Sequence, residues 1–326
     1  MENFIKYVHI NNFKSIADLK LEDCRRINLF LGYPNVGKSN ALEALSLFSV
    51  PYLKGGESLK KLVRFENRNE LFNNISQQQS EIETNQGSIT LVNNGEALLI
   101  SVGNAVGGYS FALIDNLMPT HNIREANIKR YIFRINNIWK SNGGNRLLPP
   151  FGENIVDTLS FNYNNISEVN SWIEREFAKY NLEYVLDFNS HSVKIQKRLS
   201  ENKVRQLPYS SIADTLQRLI FYKTAIASNK NSVLLFEEPE AHAFPPYIQT
   251  IMQDIIDAET NQFFIVTHSP LVVNAFLEYE KLRKETSIYL FDFKDNQTVA
   301  KRLSDEEMEL AYEYGDDLFF NLENFL

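Results

Sequence analysis

The segment Gly32-Tyr33-Pro34-Asn35-Val36-Gly37-Lys38-Ser39 has the pattern GxxxxGKS, where x is any residue. It follows an apolar, strand-like run at residues 27–31 and precedes a helical pattern with apolar positions at Ala41, Leu42, Leu45 and Phe48. Glycines let backbone N–H groups turn toward phosphate oxygens, and the helix N-terminus adds partial positive charge. This order predicts a phosphate-binding loop in which Lys38 reaches the β- and γ-phosphates and Ser39 ligates Mg²⁺.

A second apolar run, at residues 232–236, leads directly into Glu237-Glu238-Pro239-Glu240. A buried strand that ends in consecutive carboxylates forms the second half of a nucleoside-triphosphatase site. We assign Glu237 to the hydrated Mg²⁺ and Glu238 to the attacking water. Acids in a solvated loop or at a helix N-terminus give the same pattern, but the phosphate loop favours the catalytic interpretation.

A third apolar run, at residues 263–266, ends at Thr267-His268-Ser269-Pro270. An imidazole at such a strand end can donate a hydrogen bond to the γ-phosphate and report its presence, so we count His268 as a catalytic residue. For His242 two interpretations stay open. It either packs locally, or it caps or orients the loop after Glu240.

Composition excludes several classes of protein. The 326 residues carry a formal net charge of -8 and are 44% hydrophobic, as in an ordinary globular chain. Cys24 is the single cysteine, so we exclude a fold held by internal disulfides and expect a reducing, cytoplasmic location. Residues 1–10 lack the pattern of a signal peptide, and no apolar stretch approaches about 18 residues, so we expect no membrane segment.

The remaining chain indicates its domain organisation. Alternating strand-like and helical segments predict a parallel α/β core. Three short apolar runs between residues 88 and 116, with Asn-Gly or Gly-Gly between them, predict an antiparallel β meander. We therefore place the core domain at residues 1–118 and 206–326. Residues 119–205 are expected to form an inserted, mainly helical lobe that serves as a lid or docks a partner.

The predicted lobe contains basic residues interleaved with aromatic ones. The basic residues are Arg124, Lys129, Arg130, Arg134, Lys140 and Arg146, and the aromatic ones are Tyr131, Phe133 and Trp139. This pattern is typical of a nucleic-acid-binding face, but a solvated face beside a local core has it too.

Together these segments resemble ABC-type P-loop ATPases of the SMC-head branch, and in particular the stand-alone AAA-family ATPases related to OLD-family and RecF-like proteins. The resemblance rests on Asn12-Phe13-Lys14-Ser15, on residues 32–40, on Glu237-Glu238-Pro239-Glu240-Ala241-His242 and on Thr267-His268-Ser269-Pro270. It implies an α/β P-loop NTPase fold with ATP and Mg²⁺ as cofactors. It also implies that Asn35 stabilises the phosphate loop, that Glu238 is the hydrolytic glutamate and that His268 is the switch histidine. The nucleotide contacts that it implies are Lys14, Gly32, Asn35, Val36, Gly37, Lys38, Ser39 and Asn40.

The sequence departs from the pattern of this group in three places. Members close two heads over two ATP molecules with a Ser- and Gly-rich signature loop, and the corresponding Tyr209-Ser210-Ser211-Ile212-Ala213-Asp214 has no glycine. Ser211 is the residue expected to contact the nucleotide of a second copy, although bulky Ile212 hinders close approach. Glu237 stands where many relatives have Asp. Only 56 residues follow Pro270, so the Toprim nuclease of OLD proteins would have to be a separate chain.

Two functions remain open. The first is an ATPase whose nucleotide-dependent dimerisation controls DNA or a partner effector, in bacterial DNA repair and maintenance or in antiphage defence. The alternative is an ATP-gated scaffold that holds or activates a separate nuclease or toxin with little turnover. In both we expect a homodimer or a higher homo-oligomer, no membrane partner and DNA as a further candidate ligand. The energising subunit of a membrane transporter fits least, because the signature glycines are absent.

Overall fold

The computed structural model describes residues 4–53, 58–104, 107–114, 116–119, 127–135, 140, 144–161, 164–313, 318–319 and 321–325. The chain divides into two compact units. The first contains Met1–Arg130, Asn231–Glu238 and Glu259–Leu326, and the second contains Tyr131–Lys230 and Pro239–Ala258.

Sixteen strands lie in the described part of the chain. In chain order they are β1 (Val8–Phe13), β2 (Ile16–Leu21), β3 (Ile27–Gly32), β4 (Gln79–Thr84), β5 (Gly87–Asn93), β6 (Leu98–Asn104), β7 (Gly107–Ile114), β8 (Asn116–Pro119), β9 (Ile128–Tyr131), β10 (Glu183–Asp187), β11 (Ser192–Ser200), β12 (Lys203–Pro208), β13 (Val233–Glu237), β14 (Gln262–Val266), β15 (Thr286–Lys294) and β16 (Gln297–Arg302).

Eight α-helices lie in the same described residues. They are α1 (Lys38–Ser46), α2 (Ile155–Ser160), α3 (Asn164–Ala178), α4 (Asp214–Ser228), α5 (Pro245–Asp257), α6 (Pro270–Leu277), α7 (Glu280–Lys284) and α8 (Asp305–Glu313). None of them is both long and apolar enough to cross a lipid bilayer.

The central sheet has the strand order β16-β15-β3-β14-β13-β9. Strands β15, β3, β14 and β13 are parallel neighbours, with Ile265 of β14 opposite Phe236 of β13 and Leu29 of β3. Strands β3 and β14 are buried along their whole length, as expected for apolar runs covered on both faces. The carboxyl ends of β3, β14 and β13 therefore meet at one edge, which brings the three motifs of the sequence together.

A second sheet in the same unit has the order β2-β1-β4-β5-β6-β7-β8, and all its neighbours are antiparallel. Strands β5, β6 and β7 are the three apolar runs of the predicted meander, so that prediction is confirmed. The inward residues Ile82, Ile89 and Ile100 alternate with more exposed ones, which is the period of two that a half-buried strand requires.

The second unit contains α2 to α5 and a three-stranded antiparallel sheet in the order β10-β11-β12. The predicted lobe at residues 119–205 differs from this unit, because the unit also includes α4, which packs on α3, and α5, which packs on α4. One such contact joins Lys223 of α4 to the Asp254 carboxylate of α5 at 2.7 Å. The sheet is a further difference, since the distal half of β11 and most of β12 are exposed and carry charged residues, which leaves only a short apolar alternation.

Candidate nucleotide-binding site

Two glycines shape the loop between β3 and α1. Gly32 has φ +146°, and a Cβ atom there would lie 2.4 Å from the carbonyl oxygen of Phe291. Gly37 has φ +100°, and its Cβ would lie 2.0 Å from Oγ1 of Thr298. Since L side chains are strained at such angles and have no room here, both positions require glycine. Asn35 also has a positive φ, of 65°, which asparagine tolerates better than most residues.

The start of α1 offers unpaired donors. Gly37 is its N-cap, and no side chain caps the helix. First-turn N–H groups of a helix have no acceptor within it, and the helix dipole adds positive potential at the same point. A loop with this backbone suits phosphate oxygens.

The side chain of Lys38, the first residue of α1, reaches back to this loop. Its Nζ donates to the carbonyl oxygens of Gly32, at 2.8 Å, and of Tyr33, at 2.7 Å. Burial lowers the pKa of Lys38 to about 8, although the nearby Glu238 and Glu237 carboxylates favour the charged form. Within the described residues, no carboxylate lies within ion-pair distance of the ammonium, so it is available for an anionic ligand.

Glu237, the last residue of β13, is surrounded by donors. Arg130 Nη2 lies 2.6 Å from its Oε2, and Arg64 Nη2 lies 3.3 Å from its Oε1. Burial alone would raise the pKa of Glu237, but Arg130, a hydrogen bond with Ser39 and Arg64 together keep that pKa below its usual value. A hydroxyl and an ionised carboxylate side by side fit a Mg²⁺ ion that keeps most of its water ligands.

Glu238 and His268 face each other across two strand ends. Glu238 has φ +45°, and its N–H donates to the carbonyl of Val266 at 2.9 Å, which turns the chain out of β13. His268 Nε2 lies 3.6 Å from Oε1 of Glu238, and both side chains are about half exposed. Burial and the charge of Lys38 lower the pKa of His268, against the opposing effect of Glu238. The balance favours the neutral imidazole, which can donate one hydrogen bond and accept another.

The turn between β1 and β2 reaches this site through Lys14. Its ammonium forms an ion pair with the fully buried Glu43 of α1 and donates to the carbonyl oxygen of Arg64 at 2.5 Å. Burial lowers the pKa of Lys14, while Glu43 favours its charged form. The neighbouring Ser15 accepts a hydrogen bond of 2.7 Å from Asn40, which ties the turn to α1.

The structure thus brings together the candidate residues of the first unit, which are Lys14, Gly32, Asn35, Val36, Gly37, Lys38, Ser39, Asn40, Glu237, Glu238 and His268. Val36 is buried, so its side chain supports the loop and its backbone is the part that can contact a ligand. Ser211 belongs to the second unit, where it is exposed in a 3₁₀ turn just before α4. The side chain of His242 is exposed, and its carbonyl accepts a hydrogen bond from Thr215 at 2.8 Å.

Three charged residues of the site were missed by sequence reasoning: Arg130, Arg64 and Glu43. Arg130 and Lys129 are each only 3% exposed, so neither an exposed nucleic-acid-binding face nor a solvated face is correct for this pair. Arg124 and Trp139, from the same predicted face, lie outside the described residues. Glu43 did carry a signal, since it is a charge flanked by apolar positions in a helix that is buried on most sides.

The described residues contain no group of three or more His, Cys, Asp or Glu side chains placed to hold a metal ion. This agrees with the donor set at Ser39 and Glu237. Mg²⁺ in nucleotide sites is bound through one or two protein oxygens together with phosphates and water, and needs no such cluster.

Parts of the chain are similar in sequence to known proteins. Residues 117–274 match the family described as "AAA domain, putative AbiEii toxin, Type IV TA system". A segment of 63 residues is 36% identical to the DNA replication and repair protein RecF of Caldanaerobacter subterraneus subsp. tengcongensis. This segment is 19% of the chain and 17% of that RecF, so the chain matches about a sixth of the length of this relative.

Two solved structures have the same fold. One is the SMC head bound to the C-terminal winged-helix domain of ScpA, with a TM-score of 0.51 at 15% identity over 93% of this chain and 99% of that one. The other is the Smc head domain with an extended coiled coil, bound to the C-terminal domain of ScpA, from Pyrococcus furiosus. Its TM-score is 0.53 at 11% identity, over 96% of this chain and all of that one. The chain therefore has an SMC-head fold and is similar to P-loop ATPases of the ABC, SMC and RecF type, which confirms the predicted fold class and the resemblance.

Proposed function

We propose that this protein binds ATP with Mg²⁺ and hydrolyses it. The observation that carries the proposal is that three groups meet at the ends of three neighbouring parallel strands. The first is the uncapped N-terminus of α1 with Lys38, and the second is Ser39 with its hydrogen bond to Glu237. The third is Glu238, which lies 3.6 Å from His268. These groups supply phosphate binding, a metal site and a base for water, and they lie within one compact unit.

Each group has a distinct role in this proposal. The loop N–H groups and Lys38 bind and orient the phosphates, and Ser39 and Glu237 hold the metal, which neutralises phosphate charge when it is bound. Glu238 accepts a proton from the attacking water, and His268 donates a hydrogen bond to the γ-phosphate. Lys14 adds positive charge beside α1, balanced by Glu43 when no nucleotide is bound.

We further propose that the nucleotide state controls dimerisation, and that Ser211 of one copy contacts the ATP of the other. Its exposure at the start of α4 supports this, because a group that acts on a second copy must be accessible. The RecF similarity supports a role in DNA repair or maintenance. The description of the matched family supports a role in a toxin–antitoxin system, and we propose antiphage defence with a separate effector as the form of that role. Both roles place the protein in the cytoplasm.

The scaffold with little turnover is the second candidate. It is favoured by the ion pairs of Glu237, whose carboxylate is already occupied by Arg130 and Arg64. A metal must compete with these guanidinium groups, so this candidate predicts slow turnover together with tight ATP binding. Activity towards a partner that survives without hydrolysis would support this candidate.

Lys38→Ala tests ATP binding. Loss of the ammonium removes the strongest charge-assisted contact to the phosphates, so we expect ATP affinity to fall at least about 100-fold and turnover to vanish. Binding is measured by calorimetry and turnover by phosphate release. Lys294→Ala, which alters an exposed lysine paired with Asp292, is the control and should leave both unchanged. Wild-type ATP binding by Lys38→Ala would refute the proposal.

ATP binding should also weaken with rising pH. The pKa of Lys38 is lowered to about 8 in the free protein, so above that pH the side chain is mostly neutral and must take up a proton to bind a triphosphate. We expect affinity to fall up to about tenfold per pH unit above pH 8 and to level off below it. Calorimetry in buffers of different ionisation enthalpy measures the proton uptake, which should be close to one at about pH 9 and small at about pH 7. Equal proton uptake at both pH values would contradict the predicted protonation of Lys38 on ATP binding.

A further inference from the structure

A hairpin of the second unit carries unpaired positive charge. The first residue of β10, Glu183, lies opposite Gln196, so beyond this point β11 pairs with β12 alone. Every residue from 197 to 206 is exposed. We call this two-stranded segment, residues 197–206, the basic ribbon.

Three cations share one face of the basic ribbon. Lys197 lies directly opposite Arg205, and Lys203 is two residues from Arg205 on the same strand, opposite Ser200. Opposed residues point to the same face of an antiparallel pair, as do residues two apart on a strand. Across the described residues, none of these three cations has an ion pair or a side-chain hydrogen bond. Arg198 differs, because it pairs with Glu183 at 3.1 Å.

This arrangement works against stability. Like charges directly opposite each other on a strand pair are destabilising, and Lys197 and Arg205 form such a pair. The chain as a whole is acidic, with a net charge of -8, so acidic partners are abundant elsewhere in the sequence. Glu201 in the turn of the ribbon and Glu183, which pairs with Arg198, are the acids near this pair, and neither forms an ion pair with Lys197 or Arg205. We infer that the counter-charge of the pair comes from a ligand.

Protection of an exposed sheet edge does not account for this arrangement in full. Lysines and arginines on an edge strand prevent unwanted pairing with other strands, and both strands of the basic ribbon are edges, because β11 has lost β10 as a neighbour at Lys197. Such protection can therefore explain a cation on either strand. It does not require two cations directly opposite each other, a placement that destabilises the strand pair.

We propose that the basic ribbon binds the phosphate backbone of duplex DNA. The major groove of B-DNA admits a two-stranded β-ribbon, and cations about 5 Å apart across the pair and about 7 Å apart along a strand can contact successive backbone phosphates. Binding to a lipid surface would need more exposed apolar or aromatic side chains than the basic ribbon has. Its large exposed apolar residues are Leu199 and Val204. This inference deepens the DNA role of the proposed function and rests on that role, but it does not require ATP hydrolysis.

The test is DNA binding by the triple variant Lys197→Gln/Lys203→Gln/Arg205→Gln. The probe is a short fluorescent DNA duplex, and binding is followed by anisotropy at several salt concentrations. We expect affinity at low salt to fall at least about tenfold. The slope of log K against log salt should decrease in magnitude by about 2.7, because each lost phosphate contact removes about 0.9. The loss should be similar for duplexes of unrelated sequence.

A second triple variant, Lys281→Gln/Lys284→Gln/Lys294→Gln, changes the net charge equally. Its lysines are exposed but are paired with Glu259, Glu280 and Asp292, so we expect DNA binding close to that of the wild type. Thermal melting checks folding, and the ribbon variant should melt no lower than the wild type, because it loses a repulsive pair.

Three results would overturn the inference. They are equal losses of DNA binding in the two triple variants, an unchanged salt slope in the ribbon variant, and ribbon-dependent binding to phosphatidylserine vesicles without any binding to DNA. The ATPase rate is measured on the same samples. Normal ATP turnover without DNA binding refutes the ribbon's role alone, whereas ribbon-dependent DNA binding without turnover refutes the ATPase proposal alone.

Discussion

Glu238→Gln should stop ATP hydrolysis while ATP binding persists. The amide keeps the size of the side chain but cannot accept a proton from water, and loss of a general base typically lowers turnover by about 10²- to 10⁴-fold. Glu238 makes no ion pair with Lys38, so the phosphate-binding groups should keep their positions. Phosphate release measures turnover, and light scattering with and without ATP and Mg²⁺ measures the solution mass. We expect the trapped, ATP-bound form to shift from monomer to dimer.

The matched control is Glu259→Gln, an exposed glutamate of the same unit that pairs only with Lys281 among the described residues. It should hydrolyse ATP at the wild-type rate. Wild-type turnover by Glu238→Gln would refute the assigned base. A mass that stays monomeric although ATP is bound would refute the predicted contact of Ser211 with a second copy. In that case a different protein would have to complete the site.

The same variant separates the two candidate functions. An ATPase that works through cycles of dimerisation loses its biological effect when hydrolysis stops. A scaffold that needs only bound ATP keeps its effect in Glu238→Gln and loses it in Lys38→Ala. Protection of cells against phage, or repair of damaged DNA, provides the readout for this comparison.

Much of the site was predictable because its motifs are local. The loop at residues 32–39, the acids after β13 and His268 after β14 each follow a buried strand, and parallel strands bring their carboxyl ends to one edge. Sequence spacing could not predict the ion pair of Arg130 with Glu237, because 107 residues separate them. It also misjudged Arg130 as exposed, since a basic residue beside others is usually solvated and nothing local marks a buried partner.

The second unit was less predictable for a related reason. Its strands β11 and β12 carry Lys or Arg at many positions, so that apolar alternation is clear only at Val193 and Ile195, which are buried. Pairing with β10 and β12, rather than an apolar pattern, fixes the rest of β11. The unit also includes α5, which follows β13 in the chain and packs on α4. A prediction that treats the insertion as one continuous segment cannot include a helix that joins the unit from a later part of the chain.

Arg130→Met should lower the free energy of unfolding by about 3 kcal/mol, because removal of one partner from a buried ion pair leaves the other without full compensation. Arg130 is 3% exposed and also donates to the carbonyl of Leu62 at 2.6 Å, so a backbone acceptor is lost as well. Lys281→Met, which breaks an exposed pair, should change stability by less than about 0.5 kcal/mol. Urea unfolding at neutral pH measures both.

The charge of Glu237 is the reason for most of this loss, and two measurements can show it. In Arg130→Met/Glu237→Gln no unbalanced carboxylate remains, so we expect the double variant to be more stable than Arg130→Met alone. Arg130 helps to hold the pKa of Glu237 in the folded protein below its usual value of 4.5. The stability that the ion pair of Arg130 with Glu237 adds is therefore fully present above pH 4.5, and it is lost as the pH falls through the pKa of Glu237 in the folded protein. The stability difference between wild type and Arg130→Met should therefore narrow in acid. A difference that is constant with pH and is not reduced by Glu237→Gln would show that Arg130 acts through packing and its bond to Leu62 instead.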